Sequence, residues 1–215
     1  MFKKLKHTIK QFLLRRKFGR YNHLFGKIEF SKDLIIGKNC TILEGVKIGR
    51  GVILHDNCHI GRNVFLENIE VDNNTTIESG VICTGYGNGK ISIGKNCYIG
   101  INNVLDWSNN IKIDDFVHIA GPSTGLWTHT SAPMCLNSIP LKEKSEKYRP
   151  TAPIVIESNV YIGGNCTIYP GVTIGKFSVV APNSAVTKNV PSNKMVGGVP
   201  ASEIKSINPI LNDQF

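Results

Sequence analysis

Proton transfer near neutral pH is characteristic work for imidazole, and this 215-residue chain has six histidines, at positions 7, 23, 55, 59, 118 and 129. His129 alone marks a break in a pattern. It lies between two threonines in "STGLWTHTSA", residues 123–132, where a regular repeat stops. A loop residue with a solvated side chain is one reading of it; a base carried into a site by the loop is the other. The remaining chemistry-bearing residues are quieter. Six cysteines, at 40, 58, 83, 97, 135 and 166, form no CxxC pair, which gives a zinc knuckle or a thioredoxin-like centre little support. The glycines of "GYGNGK" lack the strand-to-helix setting of a phosphate-binding loop.

The pattern that His129 interrupts has a period of six. From Ile36 the chain reads "IGKNCT ILEGVK IGRGVI LHDNCH IGRNVF", and the phase returns in "VDNNTT IESGVI", "IGKNCY IGINNV" and "IDDFVH IAGPST". After a long insertion come "IESNVY IGGNCT IYPGVT IGKFSV VAPNSA VTKNVP". All 17 clean hexads open on Ile, Leu or Val, and 16 carry Cys, Val, Thr or Ser at the fifth position. Neither the 3.6 period of a helix nor the period of two of a half-buried strand produces this. A coil of short strands joined by tight corners does. With three hexads to a turn, each first-position aliphatic stacks on its counterpart one coil away, and small fifth-position residues fill the space beside the corner. Each buried aliphatic contributes roughly 1.5–3 kcal/mol. Cys40, Cys58, Cys97 and Cys166 fall on the fifth position and Cys83 on an inward aliphatic one, so these thiols read as core; Cys135 reads as a loop thiol.

Three irregularities interrupt the coil. Residues 83–92 and 105–112 read as enlarged corners, and an insertion from about 125 to 153 contains no hexad. A loop of that length in a compact fold is usually functional or disordered. Its apolar, aromatic start reads as an ordered wall and "LKEKSEKYR" as a solvated tip.

Composition fits one soluble domain, with 41% hydrophobic and 19% charged residues. The net charge of +9 is all N-terminal: residues 1–27 hold nine Lys or Arg and no acid, and in the rest 16 bases meet 16 acids. That distribution argues against a nucleic-acid-binding surface on the body. Phe2, Leu5, Ile9, Phe12 and Leu13 recur at helical spacing, which predicts a helix within residues 1–25. Such a helix can lie on an anionic membrane surface or pack against the coil with its basic face in water. No apolar run nears the roughly 20 residues of a membrane span. The first 20 residues also lack the form of a secretory signal. The expectation is therefore a cytoplasmic protein, at the inner membrane face if the helix binds lipid. The chain divides into a basic segment 1–30, a coil 31–206 and a tail 207–215.

Taken with the hexads, four stretches resemble the hexapeptide-repeat acyltransferase superfamily: "WTHT" in the insertion, "VYIGGNCTIYPGVTIG" (160–175), "VVAPNSAVTKNVP" (179–191) and "GGVPASEIK" (197–205). Within it they are most similar to acetyl-CoA-dependent sugar and polysaccharide O-acetyltransferases. The resemblance implies an all-β fold, a left-handed parallel β-helix, assembled as a homotrimer with each site between two subunits. It implies acetyl-CoA as co-substrate, no metal, and a carbohydrate acceptor, in capsule or O-antigen synthesis. The alternative within the same fold is N-acetylation of a nucleotide-linked amino sugar.

The same resemblance implies roles for particular residues. His129 matches the loop-borne general base of a direct transfer. Tyr161, Gly163, Gly164, Ala181, Thr187, Lys188, Pro200, Ala201 and Lys205 match the cofactor-binding stretches, the two glycines as sources of N–H groups for the oxyanion. Asn102, Asn103, Asp106, Trp107 and Trp127 are the candidates for the acceptor. A carboxylate can grip hydroxyls and an indole can stack on a sugar ring, although either tryptophan reads equally well as packing. His118, at a sixth hexad position and so outward, is the nearest rival to His129.

Overall fold

A hexad that must bury its first and fifth residues leaves the chain only short strands between corners, and the computed structural model, which describes residues 2–143 and 147–208, has that form. Strands of mostly two or three residues wind into a left-handed parallel β-helix with three faces. The first sheet has ten strands, from His23–Leu24 to the antiparallel terminal hairpin of Lys194–Gly198 and Ala201–Ser206. The second has seven, between Lys47–Ile48 and Ala185–Val186, and the third seven, between Ile35–Ile36 and Thr173–Ile174. Each coil pairs in register with the next. On the first sheet Ile60, Ile77, Ile99, Ile119, Ile162 and Val180 form one inward column, fully buried. Every first-position aliphatic except Ile36, in the first coil, is buried. The thiols of Cys40, Cys58, Cys83, Cys97 and Cys166 are buried in the same core, and Cys135 is exposed.

A periodic signal absent from the sequence reading sets the corners. Asn39, Asn57, Asn63, Asn74, Asn96, Asn102, Asn159, Asn165 and Asn183 all occupy fourth positions, with φ between 55° and 61°. Asparagine tolerates this left-handed conformation better than other residues with a β-carbon. Two hexads depart from the rule: "VTKNVP", whose Asn189 is not left-handed, and "IAGPST", which explains a misassigned residue. In "IAGPST" the fourth position is Pro122, whose ring fixes φ near −65°. The left-handed conformation passes to Ser123, with φ 64°, and the inward position to Thr124. Ser123 is thus exposed, not the small inward residue that the hexad phase predicts.

The shift moves a boundary too. Gly125–Leu126 is still coil, pairing with Val104–Leu105 and Thr167–Ile168, so the excursion begins at Trp127, not at 125. At the other end the coil starts earlier than residue 31, because His23–Leu24 already pairs with Thr41–Ile42 and Glu29 bridges to Lys47. The expected tail 207–215 lies outside the described residues from 209 onward.

The predicted N-terminal helix, α1, spans Phe2–Phe18 and closes the first coil. Gln11 exchanges two hydrogen bonds with the backbone of Phe30, at 2.8 and 3.1 Å. Arg15 donates to the carbonyls of Gly26 and Leu24, and Phe18 packs on Phe30 with ring centroids 5.5 Å apart. Packing against the coil and an outward apolar face coexist: Ile9, Phe12 and Leu13, on the opposite side of the helix, are 51%, 65% and 58% exposed. Among the described residues no helix is long and apolar enough to cross a membrane.

Candidate active site

Where the second sheet turns into the third, two enlarged corners and the excursion replace the regular corners of three successive coils. The glycines of "GYGNGK" are there for close approach: a β-carbon on Gly89 would lie 2.3 Å from the carbonyl carbon of Asn109 in the next corner. The excursion leaves at Trp127, makes a short helix α2 at Ala132–Leu136 and returns as a paired limb. Thr130 N–H donates to the Pro150 carbonyl, Ala152 N–H to the Thr128 carbonyl, and His129 bridges to Thr151. His129 is therefore held by backbone on both sides, directly above Asp106 at the end of the strand Val104–Asp106.

Asp106 is wholly buried, and both its oxygens are used. Its Oδ2 accepts from His129 Nδ1 at 2.6 Å and from the Thr128 N–H at 2.9 Å, while the Thr128 hydroxyl donates to the Asp106 main-chain carbonyl at 2.6 Å. Its Oδ1 accepts from the Ser108 hydroxyl at 2.6 Å and the Ser108 N–H at 3.1 Å. Burial alone would raise the carboxyl's pKa; the hydrogen bonds from Ser108 and His129 outweigh it and hold Asp106 below the usual carboxylate value. On the other side of the ring, Arg149 Nη2 lies 3.0 Å from His129 Nε2. A guanidinium can only donate and a carboxylate only accept. Both contacts therefore select one tautomer, with the proton on Nδ1 and the lone pair on Nε2. The ring is 17% exposed, and a cleft of about 820 Å³ opens beside it, lined by Tyr86, Asn88, Ser108, Asn109, Arg149 and Thr151 among others. The arrangement can accept a proton at Nε2 and stabilise the resulting imidazolium through Asp106.

The structure separates the other sequence-predicted residues. Thr187 and Lys188 are exposed on the same edge as His129, two coils on along the second sheet. Gly163, Gly164, Ala181, Asn102 and Asn103 stand on a different edge, between the first and second sheets, and Tyr161 lies on the outer face of the first. Pro200, Ala201 and Lys205 belong to the terminal hairpin and its turn. The Gly163 N–H is spent in the ladder on the Val180 carbonyl, which corrects its expected role as an oxyanion donor.

The acceptor candidates need further correction. Asn103 is buried, its amide donating to the Ile119 and Ala120 carbonyls and its oxygen accepting from Thr124 N–H, so it braces a corner. Asn102 makes the left-handed turn of that corner. Asp106 faces His129 rather than the cleft. Trp107 packs against the core with its indole N–H buried and without a partner, whereas Trp127 is 37% exposed at the mouth of the excursion. His118 is stacked between Tyr98 and Tyr161 on the outer face of the first sheet, with centroids 4.6 and 5.2 Å away, and burial lowers its pKa. It does not meet His129. Missed in the sequence were Ser108, Thr128, Tyr86 and Arg149. The hydroxyls flank Asp106 and His129 directly, a pattern of short polar residues at both ends of one contact. Arg149 is the last charge before the hexads resume.

The model of bacterial transferase hexapeptide repeats matches residues 33–68 and 153–188, the coils on either side of this site. The chain is 39% identical to the galactoside O-acetyltransferase of Escherichia coli K12 over 123 residues, 57% of each chain. It is 31% identical over 154 aligned positions to WbbJ of the same organism, whose name assigns it provisionally to lipopolysaccharide O-acetylation; the match spans 59% of this chain and 76% of that one. Of solved structures, the N-acyltransferase AntD from Bacillus cereus, in complex with dTDP and 3-hydroxybutyryl-CoA, shares the fold, with TM-score 0.59 at 21% identity over 90% of this chain and 86% of that one.

Proposed function

The chain belongs to the bacterial hexapeptide-repeat transferases, and from that premise we propose that it is an acetyl-CoA-dependent O-acetyltransferase acting on a sugar hydroxyl. The observation that carries the proposal is the His129–Asp106 pair: an imidazole beside a cleft, with Nδ1 anchored on a buried carboxylate and the Nε2 lone pair covered by Arg149, which lines that cleft. An alcohol near neutral pH is a poor nucleophile. In the proposed step the acceptor oxygen attacks the thioester carbonyl while Nε2 takes the hydroxyl proton. The carbon–sulfur bond then breaks, and the proton passes from the imidazolium to the departing CoA thiolate. Asp106 holds the ring's orientation and balances its transient charge. Such general-base assistance contributes about 10²- to 10⁴-fold.

Two features support assembly as a homotrimer with shared sites. The cofactor-matching residues at Gly164 and Ala181 and the base at His129 occupy different edges of one prism, so they can meet only across an interface. A flat-sided solenoid can also form head-to-tail contacts that close into a ring. The similarity to WbbJ supports a place in cell-surface polysaccharide modification, and the exposed Ile9, Phe12 and Leu13 beside Arg16 and Lys17 support peripheral contact of α1 with an anionic membrane. The test is CoA release with panels of sugars and amino sugars. O-acetylated product from the wild type and a loss of about 10²-fold or more in His129→Ala are expected. Product confined to the amino sugars would replace this reading with N-acetylation.

A further inference from the structure

Arg149 presents an uncompensated cation at the reaction centre. Among the described residues its guanidinium has no carboxylate partner. Its buried Nε has no hydrogen-bond partner among the described residues, its Cζ lies 4.7 Å from the centroid of the Tyr86 ring, and Nη2 donates to His129 Nε2. Among the described residues no Asp or Glu lines the cleft, and Arg149 is the one charged side chain there. Asp106 lies behind His129, its carboxylate wholly buried and already accepting four hydrogen bonds.

This arrangement opposes the chemistry it adjoins. The Arg149 N–H occupies the very lone pair that must receive the acceptor's proton, and a guanidinium 3.0 Å from Nε2 repels the imidazolium that forms. Transfer therefore requires Arg149 to leave Nε2 and its charge to be neutralised. A neutral sugar does neither. A carboxylate on the acceptor does both, because an arginine fork can pair with it through two parallel hydrogen bonds between opposite charges, whereas its present contact is one bond to an uncharged ring nitrogen. A single cation, with no lysine among the described residues that line the cleft, matches one negative charge better than a phosphate dianion.

We infer that the acceptor is an acidic sugar, and that Arg149 reads its carboxylate and, in swinging to it, uncovers the base. The inference rests on the acetyl-transfer reading, and it names the acceptor class for that site. The paired sugars below share the hydroxyls at C2, C3 and C4 and differ at C6, carboxylate against CH2OH, so transfer is scored at the shared hydroxyls.

The experiment measures kcat/KM for methyl glucuronide against methyl glucoside, and for the matching galacturonide and galactoside, in the wild type and in Arg149→Gln and Arg149→Lys. The difference between a charged and a neutral hydrogen bond predicts a wild-type preference for the acid of about tenfold. Arg149→Gln should reduce it to below about threefold, chiefly through a higher acid-sugar KM, while Arg149→Lys keeps part of it. Equal use of acidic and neutral sugars by the wild type, or an unchanged preference in Arg149→Gln, would overturn the inference and leave acetyl transfer standing. A second readout does not depend on turnover. The ¹⁵N resonance of His129 Nε2 should shift on adding methyl glucuronide, as the Arg149 donor is withdrawn, and stay put with the glucoside or in Arg149→Gln. That shift without any acetyl transfer would uphold the acid site and sink the enzymatic reading; its absence from the wild type would sink the acid site.

Discussion

Asp106→Asn separates two things that a buried carboxylate can do for an imidazole: fix its tautomer and balance its charge. The amide has one oxygen and one NH2, and each of the carboxylate's positions faces a backbone N–H. Placing NH2 at the Oδ2 site opposes the Thr128 N–H at 2.9 Å and the His129 Nδ1–H at 2.6 Å. At the Oδ1 site it opposes only the Ser108 N–H at 3.1 Å, and the Ser108 hydroxyl, now at 2.6 Å, can rotate to accept from it. The second orientation leaves fewer donors unmet, so the variant should keep the Nδ1–H tautomer and lose only the charge. Opposite unit charges about 4 Å apart attract by about 4 kcal/mol at an effective dielectric constant of 20. Forfeiting that in the transition state costs about 10³-fold in kcat. Asp106→Ala removes the tautomer lock as well and should lose more, toward the roughly 10⁴-fold seen when a serine protease loses its tautomer-fixing carboxylate. The assay is steady-state acetyl transfer, paired with ¹⁵N spectra of the imidazole to read the tautomer. Asp106→Asn within about fivefold of wild type would refute the charge-balancing role. Loss of the Nδ1–H signal in that variant would refute the orientation argument.

Three further outcomes follow from the core, the pair and the helix. Burial pushes the Cys83 thiol up to about 12 and Cys97 to about 11, and Cys135 is exposed, so native protein should react with a thiol reagent at Cys135 before any other cysteine; peptide mapping showing early label at the coil cysteines would contradict the packing. Asp106 has a folded pKa below its unfolded value, so its contribution to stability is complete above about pH 4 and is lost as pH falls through the folded value. Urea unfolding of wild type and Asp106→Asn should therefore converge as pH drops below about 4, and a constant gap would mean the carboxylate is not ionised. Phe12→Asp with Leu13→Asp should abolish co-sedimentation with vesicles containing anionic lipid while leaving acetyl transfer intact; binding that persists, or that ignores lipid charge, would remove the membrane from the account of α1.

The coil was legible because its constraint is repeated. Each inward aliphatic meets an equivalent residue above and below, so a single rule is written 17 times and local noise cannot hide it. Where the rule met a residue that could not obey it, the phase failed. Pro122 cannot take the left-handed corner, Ser123 and Thr124 absorb the displacement, and an inward assignment made by counting falls one residue short. The site was legible only where position in the chain coincided with position in space. His129 stands out because it heads the excursion, whereas Asp106 was singled out through the resemblance and given to the acceptor, because spacing cannot say which way a side chain faces.

Arg149 illustrates the deeper limit. In the sequence it closes "LKEKSEKYR", a run whose charges suggest a solvated tip, and nothing local distinguishes it from Lys147. What distinguishes it is the return of the chain: Thr130 and Ala152 zip the two limbs together, and the zipper sets Arg149 against His129, twenty residues earlier. The excursion thus carries both the imidazole proposed as the base and the cation that covers it. In the proposed reaction the covered imidazole must be freed before it can take a proton, and the chemistry of the covering group, one positive charge with no carboxylate partner among the described residues, is why the proposal gives the acceptor a negative charge.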